Sequence, residues 1–212
     1  MENYSKVMNK IAAYSLMIAG LAAAIALCFH PDEFVPGSVL LAAWKPVHLT
    51  LLFAFSISIF GVVGIFNLIP EKPSIIGILA YFLGVIGCAG SAAVVVLEVF
   101  VLPTIASQAV VQVPLMEMMS PATAFSQLGM FFMSAVMIWI VAWILIGISI
   151  LRSSIFNRNL GILIIIASVA IAIPTHFAGG FSGILHILVS ILFGMSWIVL
   201  GKAILNVKSI KL

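Results

Sequence analysis

One glutamate and four histidines are the side chains of this sequence best suited to acid–base or metal chemistry. Glu98 lies in the segment VVVLEVF, residues 94–100, inside a long run of apolar residues, and the histidines are His30, His48, His176 and His186. A charged group within a membrane span costs about 2.5–3.5 kcal/mol at the helix centre. A residue kept at that cost is treated as functional, so the depth of these five side chains has to be established.

The amino-acid composition indicates whether the chain lies in water or in a lipid bilayer. The sequence is 64% hydrophobic and 7% charged, and its mean hydropathy is +1.35. Soluble domains carry about 25% charged residues. The chain is therefore an integral membrane protein with the lipid bilayer as its first partner, and its spans have to be helices because lipid leaves no backbone group unpaired.

Six apolar runs are long enough to cross a bilayer, which takes about 20 residues. They cover roughly residues 10–29, 47–68, 75–102, 125–151, 160–176 and 182–205. Six spans leave little chain over, so the sequence predicts an all-α fold: a single six-transmembrane-helix bundle without a separate soluble domain.

The positive charges orient this bundle. All but one of them fall on one side of a six-span arrangement: Lys6, Lys10, Lys72, Arg152, Arg158, Lys202, Lys208 and Lys211, with Lys45 on the other side. Lysine and arginine collect on the cytoplasmic side. We therefore predict a plasma-membrane protein with both termini cytoplasmic, and the basic pI needs no nucleic-acid partner.

This orientation places the chemistry in one layer. Span three runs outward, so Glu98 lies about one turn below the outer surface, and His186 lies about one turn inside the start of span six. His30, His48 and His176 fall at the outer ends of spans one, two and five. The sequence thus predicts an outer layer of histidines around one carboxylate.

Three spans carry stripes at helical spacing that are expected to face the interior. The stripes are Gly84, Gly87, Ser91, Val95 and Glu98 in span three, Gly183, His186, Ser190, Gly194, Trp197 and Gly201 in span six, and Ser126, Met130, Met133 and Met137 in span four. Small residues most often serve close helix packing, and methionines most often fill cores. Glu98 and His186 are the members that packing alone does not explain.

A b-type haem is the cofactor that this layer predicts, for electron transfer or sensing with a redox partner. Haem iron takes axial histidines, and a b-type haem needs no covalent cysteine motif. His186 is the expected first axial ligand, because small neighbours leave room for a macrocycle. His48 is the expected second ligand and His176 the next candidate, with Glu98 hydrogen-bonded to an imidazole. If the layer binds a metal ion without a porphyrin, His186 and His48 are the expected ligands.

Other interpretations stay open at this stage. Glu98 is a candidate proton or cation site of a small transporter or channel. The chain also fits a non-catalytic subunit or scaffold of a membrane complex. A Glu98–His186 hydrogen bond that only ties two helices together is the structural alternative, and His30 is expected to be solvated beside Asp32 and Glu33. The zinc hydrolase motif HExxH is absent from the sequence, and whether the chain is an enzyme is left open.

Overall fold

The computed structural model describes residues 2–68, 74–108, 113–120, 123, 125–176 and 183–207. Every regular element in these ranges is helical. The elements are α1 (Glu2–Cys28), a 3-10 helix (Ser38–Leu40), α2 (Trp44–Leu68), α3 (Ile75–Phe100), α4 (Leu102–Gln108), α5 (Leu115–Met118), α6 (Ser126–Arg152), α7 (Arg158–His176) and α8 (Gly183–Leu205). The prediction of an all-helical fold is confirmed.

Six helices form a closed ring. Neighbours pack in the order α1, α2, α3, α6, α7 and α8, and α8 returns to pack against α1. Five of them are long and apolar enough to cross a membrane, with α4 continuing α3 to Gln108; in α7 the corresponding apolar stretch, Arg158–Ala172, is shorter. A membrane helical bundle is therefore supported, while the sixth span and the orientation stay predictions. We call the end of the ring at Cys28, Trp44 and Phe100 the histidine end.

Glycines let neighbouring helices approach closely. A Cβ on Gly20 of α1 would lie 2.5 Å from the carbonyl oxygen of Gly194 on α8. A Cβ on Gly87 of α3 would lie 2.6 Å from Cα of Trp139 on α6. Backbones this close need glycine, as is usual at membrane helix interfaces. The small stripes predicted for spans three and six are therefore packing faces along much of their length.

Aromatic rings fill the centre of the ring and correct one prediction. Trp143 and Trp197 lie with ring centroids 4.5 Å apart, and Trp139 packs on the Phe193 ring at 5.0 Å. Trp139 and Trp143 occupy the inner face of α6, so the methionine stripe predicted for that face does not point into the core. Met130 is 62% exposed, because the large indoles of the same helix bury more apolar surface than methionines would.

The connections at the histidine end pack into a small second core, which we call the cap. Its buried members come from the 3-10 helix, α2, α4, α5 and the residue after α5: Val39, Trp44, Leu102, Ala106, Leu115 and Met119. The amide of Leu115 donates a hydrogen bond to the carbonyl of Glu33 at 3.0 Å. The cap therefore covers the loop after α1 and removes part of that loop from solvent.

Candidate functional site

Glu98 lies on the buried face of α3, opposite a histidine of α2. Its side chain is almost fully buried, and Oε2 lies 3.6 Å from Nε2 of His48. The indole Nε1–H of Trp44 donates to the carbonyl of Glu98 at 2.8 Å and fixes α2 against α3 at this level. The prediction that Glu98 faces the bundle interior is confirmed.

His48 is held in one orientation by its own helix. Its Nδ1 lies 2.7 Å from the carbonyl oxygen of Trp44, one turn earlier. A carbonyl oxygen only accepts, so Nδ1 carries the proton and Nε2 keeps its lone pair. The imidazole also stacks on the Trp44 ring, with centroids 4.0 Å apart. The lone pair of Nε2 is thus aimed toward the Glu98 carboxyl.

His30 and Glu33 belong to the same cluster, which the sequence did not predict. His30 was expected to be solvated, but it is 8% exposed and Glu33 is 4% exposed, because the cap covers the loop that carries them. Nδ1 of His30 lies 2.8 Å from the carbonyl of Pro31, and Nε2 lies 3.7 Å from Oε1 of Glu33. Their spacing of three residues was the available sequence signal.

The two histidine–carboxylate pairs meet each other. The rings of His30 and His48 have centroids 4.7 Å apart. One ligand atom from each of His30, Glu33 and His48 lies within 4.8 Å of the others. Glu98 joins them through His48. We call these four residues the His/Glu cluster.

Burial changes the protonation of the loop members of the cluster. Burial, with a smaller contribution from the charge of His48, lowers the pKa of His30 to about 3. Burial, followed by the nearby charge of Asp32, raises the pKa of Glu33 to about 8. Near neutral pH both groups are therefore mainly uncharged, and their 3.7 Å contact is not an ion pair.

The remaining two predicted ligands are placed differently. Nε2 of His186 lies 2.6 Å from the carbonyl of Leu27, so its N–H donates to α1. His186 thus ties α8 to α1, and the histidine that contacts the Glu98 carboxyl at 3.6 Å is His48. The backbone of His176 ends α7, and its side chain lies outside the described residues.

A cavity of about 100 Å³ begins at the cluster and extends into the ring. His30, Glu33 and Glu98 line it at the histidine end, and the rest of its lining comes from all six helices of the ring and is largely apolar. The cluster therefore borders an internal space, even though its residues are shielded from bulk solvent.

The spacing of the cluster suits a metal ion. A tetrahedral ion with ligand distances of about 2.1 Å holds its ligand atoms about 3.4 Å apart. The two imidazole–carboxylate distances, 3.6 and 3.7 Å, are close to that value. His30, Glu33 and His48 are the residues able to hold such an ion, with Glu98 as a fourth oxygen donor beside His48.

Comparison with protein-family models, with curated proteins and with solved structures finds no match to this chain.

Proposed function

We propose that this chain is a membrane metalloprotein that binds one divalent transition-metal ion in the His/Glu cluster. His30, Glu33 and His48 are the proposed ligands. Glu98 is placed either to complete the coordination or to accept a proton from a water on the ion. The bundle supplies a covered site at one end of a membrane-embedded ring.

One observation carries this proposal. In His30 and in His48 alike, Nδ1–H donates to a backbone carbonyl while Nε2 faces a carboxylate oxygen. Metal-binding histidines nearly always donate their second ring N–H in this way, which fixes the tautomer and raises ligand basicity. A purely structural pair would instead be expected to use Nε2 in a direct hydrogen bond, and the Nε2 of His48 makes none with the described residues.

Charge balance agrees with a divalent ion that displaces the carboxyl protons when it binds. Two carboxylates in their deprotonated form and one M²⁺ ion together are neutral, which lowers the cost of burying them. Imidazole and carboxylate ligands suit zinc, iron and related ions, whereas a site for calcium or magnesium would use oxygen ligands alone. Three protein ligands leave a coordination position open, as in catalytic sites.

Haem b, the cofactor that the sequence predicts, fits this geometry less well. The His48 ring is enclosed by the Trp44 ring at 4.0 Å and the His30 ring at 4.7 Å. The adjoining cavity of about 100 Å³ is below the 300–1,000 Å³ of typical ligand pockets. This geometry favours a single ion over a macrocycle beside His48.

The transporter and scaffold interpretations stay sequence predictions, as do a redox partner and assembly into a larger complex. A proton or cation path from Glu98 would need polar groups across the ring. Among the buried serines deeper in the bundle, Ser58, Ser149 and Ser168 donate to carbonyls of their own helices. Within the described part of the chain we identify no polar route from the cluster to the opposite end.

Metal analysis of purified variants tests the proposal. Wild-type protein, incubated with Zn²⁺ or Fe²⁺ and desalted, is expected to retain about one ion per chain. His48→Ala and Glu33→Gln should retain little, because each removes a ligand. His186→Ala is the matched control: it removes a buried histidine of the same layer, and the metal content should stay at the wild-type level.

The same variants separate the metal ion from haem. Under the haem prediction His186→Ala removes or strongly shifts the Soret band of protein from haem-replete cells. A coloured wild type that loses its Soret band in His186→Ala, with no metal retained by haem-free protein, would refute the proposal. Retention of metal by His48→Ala and Glu33→Gln at the wild-type level would refute it as well.

A further inference from the structure

Four buried polar groups deeper in the ring have no hydrogen-bond partner among the described residues: the Ser91 hydroxyl and the indole Nε1 atoms of Trp139, Trp143 and Trp197. Two of them, Ser91 and Trp139, line a cavity. Ser91 on α3 and Trp139 on α6 are 3% and 6% exposed, respectively. Neither the hydroxyl oxygen of Ser91 nor the indole Nε1 of Trp139 makes a hydrogen bond to any described residue. A buried donor without a partner is destabilising, because it has lost its hydrogen bonds to water and gained none. Such a pair calls for an explanation.

Both side chains line the cavity that begins at the His/Glu cluster. Ser91 lies two helical turns before Glu98 on the same buried face of α3. Trp139 is on the facing helix, where its backbone packs on Gly87, one turn from Ser91. The two donors are therefore located in the deeper part of the cavity, away from the cluster.

The rest of this deeper part is apolar. Val94, Val95, Val136 and Phe193 are among the apolar residues that line the cavity. An apolar cavity of about 150 Å³ in another protein stays dry and binds benzene or xenon, while a stable buried water needs two to four polar partners. A space of about 100 Å³ with an apolar wall and two donors suits a molecule somewhat smaller than benzene.

We propose that this cavity is a binding site for a small uncharged organic molecule with one hydrogen-bond-accepting oxygen, such as a short ketone. An indole N–H is a donor only, so its partner has to be an acceptor. The Ser91 hydroxyl lines the same cavity and is a second donor for that molecule. The hydrocarbon part of the ligand then packs on the valine and phenylalanine side chains.

This ligand site is independent of the metal proposal. Its polar anchors, Ser91 and Trp139, are distinct from the four residues of the cluster. Binding is therefore expected in metal-free as well as metal-loaded protein, and each proposal can fail alone. In the metal-loaded protein the cavity would also connect the bound molecule to the open coordination position.

Butanone and 2-methyl-1-butene form a matched probe pair. Their non-hydrogen atoms are connected in the same way and give nearly the same shape, but a methylene carbon replaces the carbonyl oxygen in the alkene. We expect saturating butanone to raise the Tm of detergent-purified wild type by about 3 °C, with a smaller shift for the alkene. The larger 4-heptanone should exceed the cavity and give no specific shift.

Substitutions in the cavity distinguish specific binding from general effects of the probes on solvent and detergent. Ser91→Ala should weaken butanone binding about fivefold through loss of one hydrogen bond, without affecting the alkene. Val136→Phe should abolish the Tm shifts of both probes by filling the cavity. If Val136→Phe does not fold, Val95→Leu is the alternative cavity-filling variant. Ser58→Ala is the matched control, because Ser58 is buried, already hydrogen-bonded and absent from the cavity wall.

The test compares the Tm shifts of wild type, Ser91→Ala and Ser58→Ala. A butanone-specific shift that falls in Ser91→Ala and persists in Ser58→Ala supports the site. Equal shifts for both probes in wild type and Ser91→Ala would overturn it. Absence of any shift with butanone would also overturn it.

Discussion

At the scale of single residues, the cluster combines one local pair with one long-range pair. His30 and Glu33 are neighbours in the loop after α1, whereas His48 and Glu98 meet only because α2 packs on α3. The Trp44 indole contributes twice, by stacking on His48 and by donating to the Glu98 carbonyl. A substitution in either pair is therefore expected to act on metal binding more than on folding.

Replacing Glu98 with glutamine tests the role of its charge. The amide has the same size but no negative charge, so it is a poorer ligand and does not accept a proton. We expect Glu98→Gln to lower metal affinity about 10- to 100-fold, as measured by competition with a coloured chelator. Glu117→Gln is the control, because Glu117 is an exposed acid on α5 and does not belong to the His/Glu cluster.

The proposal would be contradicted at this position by equal affinities in wild type and Glu98→Gln. A fall of the same size in Glu117→Gln would also contradict it, because the loss would then reflect total negative charge. Unchanged Tm in the metal-free variants would show that the fold is intact in both.

The sequence could predict Glu98 but not its loop partners. A carboxyl inside an apolar run is conspicuous because its cost is high, whatever surrounds it. His30 and Glu33 lie in a polar loop that by itself indicates exposure. Their burial depends on the cap, including the Leu115 amide bond to Glu33, and a contact between distant loops has no local sequence signal.

At the scale of elements, apolar run length predicted the helices and side-chain periodicity predicted most of their faces. The buried face of α3 contains the predicted stripe from Gly84 to Glu98. The predicted inner face of α6 was wrong, because methionines and tryptophans both recur on this helix at helical spacing. Periodicity alone does not rank two such stripes, whereas packing in the closed ring selects the larger aromatic surface.

Gly87 offers a test of helix packing that does not touch the cluster. A Cβ there would lie 2.6 Å from Trp139 Cα, so Gly87→Ala has to push α3 and α6 apart. We expect a loss of about 1–3 kcal/mol in the free energy of unfolding, measured as a lower Tm in detergent. Gly77→Ala on the same helix is the control, since its nearest contact would be Ser74 Oγ at 3.6 Å.

The two glycine variants are expected to differ in their effect on the free energy of unfolding. Alanine favours a helix by roughly 0.8–1 kcal/mol relative to glycine, so Gly77→Ala should be neutral or slightly stabilising. A Gly87→Ala protein as stable as the wild type would show that α3 and α6 are less closely packed than the structure indicates.

At the scale of the whole molecule, the ring has two chemically different ends. The His/Glu cluster and the cap lie at the histidine end, together with Lys45 of α2. Near the opposite end are Lys10 of α1, Arg152 of α6, Arg158 of α7 and Lys202 of α8. The lysine and arginine bias therefore predicts a histidine end that faces the cell exterior.

Cysteine labelling of intact cells tests this orientation. In a background with Cys28 and Cys88 replaced by alanine, Val35→Cys places a thiol at an exposed position of the histidine end. Ser154→Cys places one at an exposed position between α6 and α7. An impermeant maleimide is expected to label position 35 in intact cells and position 154 only after permeabilisation. The reverse pattern would place the cluster on the cytoplasmic side, where its proposed metal would come from the cytoplasmic pool and not from the medium.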